Sequence, residues 1–319
     1  MGKTGTILLV RSDMMTAALA VRRINKTYGD KHVVNNVSFE AQAGEILGVL
    51  GPNGAGKTTT IRMIMGITAP DTGEVIFQTD SGQAKSVPKH QVGYLPEERG
   101  LYKEARVMPI LLFLASLKNV SRPVAEKRAR EWLDKFGLAD YANAKIEQLS
   151  KGMAQKVQFI SAILHQPKFI VLDEPFSGLD PVSQDTFKAE IRNLAAAGAV
   201  VLLSSHQMNI VEELCDRLFL INQGKEVVSG RLGDIKERYG NYRVYVETQG
   251  EISSLKALPQ VVGSEQLSDE RWMLLLRDDV RPEEFLRQIP IEASIRELSV
   301  MRPSLHDIFV KIATGREIE

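Results

Sequence analysis

Gly51, Pro52, Asn53, Gly54, Ala55, Gly56, Lys57, Thr58 and Thr59 form a stretch whose residue types and spacing are suited to holding phosphate. The pattern Gly-x-x-x-x-Gly-Lys-Thr lets backbone N–H groups curl around an anion, and the helix predicted to follow adds partial positive charge at its start. Lys57 would neutralise β- and γ-phosphates, and the Thr58 hydroxyl would bind Mg²⁺. A second pair of chemical groups, Asp173 and Glu174, closes the apolar run Phe169, Ile170, Val171, Leu172. Successive side chains of a strand point to opposite faces, so two adjacent acids can take different jobs. Asp173 would help hold the Mg²⁺ shell, and Glu174 would polarise an attacking water as general base. These residues predict binding of a nucleoside triphosphate.

The elements around them fit that chemistry. Ile46 to Leu50 is an unbroken apolar run, as a strand buried on both faces requires, and Ile61, Met63 and Ile64 begin a helix after the loop. Upstream, Leu19 to Ile24, a turn at Tyr28, Gly29 and Asp30, and the run Val33 to Phe39 read as short antiparallel strands. The polar segment 79–89 reads as a loop and residues 92–95 as another strand. From Tyr102 to Gln166 the pattern is helical. One helix starts at Ser121 and Pro123, places Val124, Trp132, Leu133 and Phe136 on one face, and stops at Gly137. Lys127, Arg128, Arg130 and Lys135 form its solvated face rather than a nucleic-acid footprint. Asp180 and Pro181 start a further helix, and Val200 to Leu203 and Leu218 to Ile221 are strands. Strands alternating with helices predict an α/β fold with a mainly parallel sheet.

After Tyr239 and Gly240 the pattern changes. Tyr242, Val244 and Val246 alternate with polar neighbours, and Trp272, Leu274 and Leu276 repeat the alternation. Phe285 and Ile289 mark a short helix. Ser304 caps a last one with Leu305, Ile308, Phe309 and Ile312 on one face and Gly315 as its stop. We divide the chain into a leader over 1–17, an α/β domain over 18–238 with a helical subdomain near 102–166, and a small α+β accessory domain over 239–319. The leader formally matches a myristoylation pattern at Gly2 and Thr6, but a disordered or non-native leader, with Met14 or Met15 as the start, is preferred.

Composition narrows the classes. The 319 residues carry 40 basic and 40 acidic side chains, so no broad positive field points to nucleic acid. Cys215 is the single cysteine, which excludes an internal disulfide and reads as a buried thiol. No segment approaches the ~18 uninterrupted apolar residues of a membrane span.

Five further motifs stand in order around the phosphate loop: Tyr28 before it, then Leu149 to Met153, the acids at 173 and 174, Ser177 to Asp180, and Ser204, Ser205, His206. Over residues 19–230 the chain resembles the nucleotide-binding subunit of an ATP-binding cassette (ABC) transporter, and the appended domain resembles the extension of the sodium- and drug-export branch. The resemblance implies a phosphate-loop ATPase cassette with a mainly parallel core, an antiparallel β edge and a helical subdomain. It implies ATP and Mg²⁺ as ligands, a membrane permease and a second ATPase subunit as partners, no nucleic acid, and a place at the cytoplasmic face of the cell membrane. Ser150, by itself a helix N-cap, would with Gly152 bind the γ-phosphate held by the facing subunit. His206 would contact that phosphate, Tyr28 would stack on adenine, and Asp180 would lie at the subunit junction.

Two departures stand out. Lys151, Gly152 and Met153 replace the commoner Gly-Gly-Gln, and Glu97 stands where many relatives place a glutamine that touches Mg²⁺ and the membrane subunit. Glu97, acceptor-only when ionised, can bind metal but cannot donate an amide hydrogen bond. The rivals are a soluble ABC ATPase acting on ribosomes or nucleic acid, and a small-molecule kinase. The latter would leave Ser150 and His206 without roles.

Overall fold

In the computed structural model, residues 18–79, 82–86, 88–98, 100–239, 241–249, 252–277, 280–290 and 293–314 are described. The leader and the positions of Gly240 and Gly315 lie outside them. Among the described residues, three sheets organise the chain.

The first is antiparallel, built from β1 (Leu19–Tyr28), β2 (Lys31–Ala41), β4 (Thr72–Thr79) and β5 (Gly82–Ala84) in the order β2-β1-β4-β5. The second takes β3 (Ile46–Leu50), β6 (Val92–Leu95), β7 (Phe169–Asp173), β8 (Val200–Ser204), β9 (Arg217–Asn222) and β10 (Lys225–Arg231) in the order β10-β9-β3-β8-β7-β6. All its pairings are parallel except β9–β10. Strand β3 shows why the run at 46–50 is apolar throughout. Ile46 and Leu50 pack into the helical side, while Leu47 and Val49 pack against the antiparallel sheet.

The helical side holds α2 (Val107–Ser116), α3 (Arg122–Lys135), α4 (Lys151–Ile163), α5 (Pro181–Ala196), α6 (Met208–Leu214) and α7 (Leu232–Tyr239). Helix α1 (Lys57–Ile64) instead buries Ile61, Met63 and Ile64 beneath the antiparallel sheet. Two details depart from the sequence reading. Within 79–89, β5 adds a short strand to β4, because edge pairing needs only backbone groups and leaves no apolar alternation to read. On α3 the buried line is Ala125, Ala129 and Leu133, continued by Phe136, and Val124 faces solvent. Small alanines at four-residue spacing let the neighbouring helices approach, so they outrank the larger valine.

The third sheet, β12-β13-β11-β14, joins β11 (Arg243–Thr248), β12 (Val261–Gln266), β13 (Arg271–Leu276) and β14 (Ile295–Met301), with α8 (Ser253–Lys256) and α9 (Pro282–Arg287) beside it. Val244, Val246, Leu274, Leu276 and Phe285 form its own core. Helix α10 (Leu305–Thr314) behaves differently. Ser304 and Asp307 cap its start reciprocally, yet its buried Leu305 and Ile308 join the core of the α/β region. The last helix of the accessory stretch therefore packs on the preceding unit.

Candidate active site for ATP

The parallel register assembles the site. Val49 lies beside Ser204 across β3–β8, and Ser204 lies beside Asp173 across β7–β8. The loops leaving these three strands at their carboxyl ends must therefore meet, which is where parallel α/β sheets place ligands.

The loop after β3 folds tightly. Gly56 has φ +109°, and a Cβ there would lie 2.6 Å from the Val33 carbonyl oxygen; a Cβ on Gly51 would lie 2.2 Å from that of Ile221. Side chains are thus excluded by backbone. The Gly224 N–H donates to the Ala55 carbonyl at 2.9 Å, tying the loop to the β9–β10 turn. Gly56 precedes α1 without any side-chain cap, and the first intrahelical bond is Thr60 N–H to Gly56 O at 2.9 Å. The N–H groups of Lys57, Thr58 and Thr59 therefore stand at a helix start with no intrahelical acceptor, suited to phosphate oxygens. Pro52, Asn53, Gly54 and Thr58 are exposed along this loop. Lys57 Nζ donates to the carbonyls of Gly51 at 2.7 Å and Pro52 at 3.2 Å.

Lys57 shares its field with three carboxylates. Burial lowers its pKa, and Glu174, Asp173 and Glu97 oppose that shift. Asp173 responds in the other direction. Burial raises its pKa and the negative Glu97 and Glu174 add to the rise, against Ser204 and Lys57. Concentrated negative charge around one buried carboxylate is the environment a divalent cation relieves. Among the described residues no group of three or more His, Cys, Asp or Glu side chains forms a metal cage. Thr58, Asp173 and Glu97 fit a cation that takes its remaining ligands from phosphate and water.

Glu174 follows β7 as the apolar run predicts, but it does not continue the strand. Strand β7 ends at Asp173, and Glu174 turns to φ +50°. A glutamate in the left-handed region costs roughly 1–3 kcal/mol and persists only where surroundings over-determine it. They do so here. Glu174 N–H donates to Ser204 O at 2.9 Å, and its Oε1 accepts the His206 backbone N–H at 2.8 Å. Its Oε2 accepts Ser205 Oγ–H at 3.3 Å and lies 2.9 Å from His206 Nδ1. The carboxylate is buried while the His206 side chain is 76% exposed, so the histidine closes the outer side of the acid.

Two positioning residues escaped the sequence reading. Gln155 Nε2 donates to Pro175 O at 3.0 Å and Gln158 Nε2 to Glu98 O at 3.3 Å, fastening the segments after Glu174 and Glu97 to α4. Their signal was available. Both are polar residues at buried positions of an apolar helix, which require hydrogen-bond partners.

Ser150, Gly152 and Asp180 form a second group. Ser150 Oγ accepts Met153 N–H at 3.2 Å as N-cap of α4. Asp180 accepts Ser183 N–H at 2.9 Å and Ser183 Oγ–H at 2.6 Å as N-cap of α5, and these bonds hold its pKa below the usual carboxylate range. A Cβ on Gly152 would lie 3.1 Å from Gly178 O, so the two caps share one corner. Tyr28 stands apart at the end of β1, 49% exposed, with Lys26 Nζ 5.6 Å from its ring centre.

Comparison with known proteins identifies the family. The ABC transporter family matches residues 34–177, and the C-terminal domain of DrrA1-3-like ATP-binding proteins matches 230–313. The chain is 38% identical to an uncharacterized ABC transporter ATP-binding protein, YhaQ, of Bacillus subtilis, over 92% of this chain and 97% of that protein. It is 34% identical to the Nod factor export ATP-binding protein I of Rhizobium meliloti, over 95% of this chain and 90% of that one. A solved structure described as the ATP binding subunit of an ABC transporter superposes with a TM-score of 0.65 at 31% identity, covering 70% of this chain and 93% of that chain. The chain belongs to the ABC transporter family, as an ATP-binding subunit with ATPase activity.

Proposed function

We propose that this subunit hydrolyses Mg²⁺-bound ATP at the interface with a second copy or a homologous ATPase subunit, and that closure of the pair drives export through a separate membrane permease. The observation that carries the chemistry is the buried Glu174 carboxylate, held by the His206 N–H and flanked by His206 Nδ1 within the common field of Lys57 and Asp173. Glu174 takes the proton of the attacking water, His206 contacts the γ-phosphate, and Lys57 with the loop N–H groups of 51–59 neutralises the β- and γ-oxygens. When bound, Mg²⁺ would supply positive charge to offset the charge that develops in the transition state. Thr58 and Asp173 would hold it, with Glu97 in its shell, and Glu97 would also couple to the permease. Tyr28 stacks on adenine. Most of the rate enhancement comes from positioning and fixed charge.

Two features support pairing. Ser150, Gly152 and Asp180 gather at a corner of their own, suited to reaching ATP held by a facing subunit, and α4 presents its N-terminus there. Export is supported by the relative named as a Nod factor export ATP-binding protein. No helix among the described residues is long and apolar enough to cross a membrane. In this reading the translocation path belongs to the permease, and the subunit works at the cytoplasmic membrane face. The domain plan proposed is an ATPase unit over 18–238 and an accessory unit over 239–319.

The test is an affinity pull-down from detergent-solubilised membranes with Glu174→Gln and ATP. Recovery of a polytopic membrane protein supports the transport role. Recovery of ribosomal or nucleic-acid partners with no membrane protein keeps the ATPase chemistry and removes that role.

A further inference from the structure

Helix α6 begins at Met208, two residues after His206, and Ser205 Oγ accepts the Gln207 N–H at 3.1 Å while donating to Glu174. Whatever holds α6 therefore holds the segment that places His206 against Glu174. Toward the ATPase core, α6 buries Ile210, Val211 and Leu214. Elsewhere it is held by α5, where Glu213 pairs with Lys188 and Arg192, by α7, and by the accessory stretch. Glu212 Oε2 accepts the Leu305 N–H at the first position of α10 at 2.8 Å, and its Oε1 pairs with Lys236 of α7. Behind this clamp, Leu305, Ile308 and Phe309 line one small cavity with Leu220, Val228, Ile235 and Leu50. Leu50 is the last residue before the phosphate loop. Arg302, three residues ahead of α10, donates to Glu237 at 2.9 Å and to Tyr242 Oη at 3.1 Å, and Arg243 pairs with Asp307 at 2.8 Å.

We propose that Glu212 is a positioning residue for His206: by fastening the start of α10 to α6, it makes ATP turnover depend on the docked C-terminal helix. The inference rests on the assignment of His206 to the reaction. A glutamate at this point serves both attachments at once, since one oxygen completes the helix start and the other binds the α7 lysine. Coupling travels through the short rigid α6 rather than through the nucleotide itself.

The experiment uses the full chain, with ATP turnover measured across ATP concentration. Glu212→Ala is expected to lower kcat about tenfold while KM for ATP stays within about twofold, because displacement of His206 harms the transition state rather than nucleotide binding. Glu212→Gln keeps an acceptor for the Leu305 N–H and is expected to recover most of kcat. Unchanged kcat in Glu212→Ala, or a glutamine variant as slow as the alanine one, overturns the proposal. Where Glu212→Ala does not fold, Arg302→Ala, which frees the same helix from Glu237 and Tyr242, carries the test by the same fall in kcat at constant KM. His206→Ala separates the two levels. If it loses turnover while the clamp variants do not, the inference alone falls; if it retains full turnover, the His206 assignment falls and takes the inference with it.

Discussion

Two helix starts in this chain are built in opposite ways. Helix α1 opens on Gly56 with no side-chain cap, its loop pressed against the backbones of Val33 and Ile221. Helix α4 opens on Ser150, whose hydroxyl accepts the Met153 N–H. The first leaves N–H groups for an anion within the same chain and spaces them by glycine alone. The second stands as an ordinary capped helix whose corner gains a chemical role only when something else faces it. In the proposed function, one half of an ATP site lies at the first helix start and the other half is supplied by a facing partner.

The largest expected effect lies between the two, at the proposed general base, Glu174. Glu174→Gln keeps the shape and the acceptor for the His206 N–H but loses the basic oxygen. Turnover should fall by roughly 10²- to 10⁴-fold with ATP binding retained, read as phosphate release and as equilibrium binding. An active glutamine variant would refute the base assignment. Next comes the first helix start. Gly56→Ala forces a Cβ within 2.6 Å of a backbone oxygen at φ +109°, and strain of about 1–3 kcal/mol should weaken ATP binding by roughly 5- to 150-fold in titration calorimetry.

The buried His165 gives a stability test independent of nucleotide. Its Nε2 lies 2.9 Å from Val92 O, to which it donates in the neutral ring, and Nδ1 has no partner among the described residues. Burial pushes its pKa from 6.5 down to about 4, with Lys118, His90 and Arg128 adding to the fall. Above pH 6.5 both folded and unfolded chains hold it neutral. Between 6.5 and about 4 the unfolded chain binds a proton that the folded one refuses, so stability falls through that window and the loss is complete below it. Allowing for partial solvent screening, the loss is roughly 2 kcal/mol, and His165→Gln should flatten the slope of urea-unfolding stability against pH. An unchanged slope would contradict the burial account. Smallest is the second helix start: Ser150→Ala should cost about 1 kcal/mol of unfolding stability and leave ATP binding to the isolated chain unchanged. Weaker binding by that monomer would mean that Ser150 serves its own nucleotide.

The same contrast explains what could be read in advance. The phosphate loop, β3, β7 and β8 announce themselves through glycines of fixed spacing and apolar runs buried on both faces. Cap residues such as Ser150 and Asp180 are legible because a helix end needs a local acceptor. The left-handed turn at Glu174 was not, since it depends on Ser204, Ser205 and His206 arriving from another strand. Strands β5, β12 and β14 are edges or near-edges whose exposed faces carry little alternation. The apolar face of α10 was visible, but a face states only that it is buried, and its partners Leu220, Val228 and Ile235 lie far away in sequence.

The measurement closest to the central claim is the solution mass of Glu174→Gln, by light scattering on a sizing column, with and without ATP and Mg²⁺. A site whose two halves lie on different chains predicts a 35.5 kDa monomer that becomes a dimer with ATP and returns to monomer with ADP. A mass that stays monomeric at saturating ATP would contradict pairing, and with it the action of Ser150, Gly152 and Asp180 on a facing subunit's nucleotide.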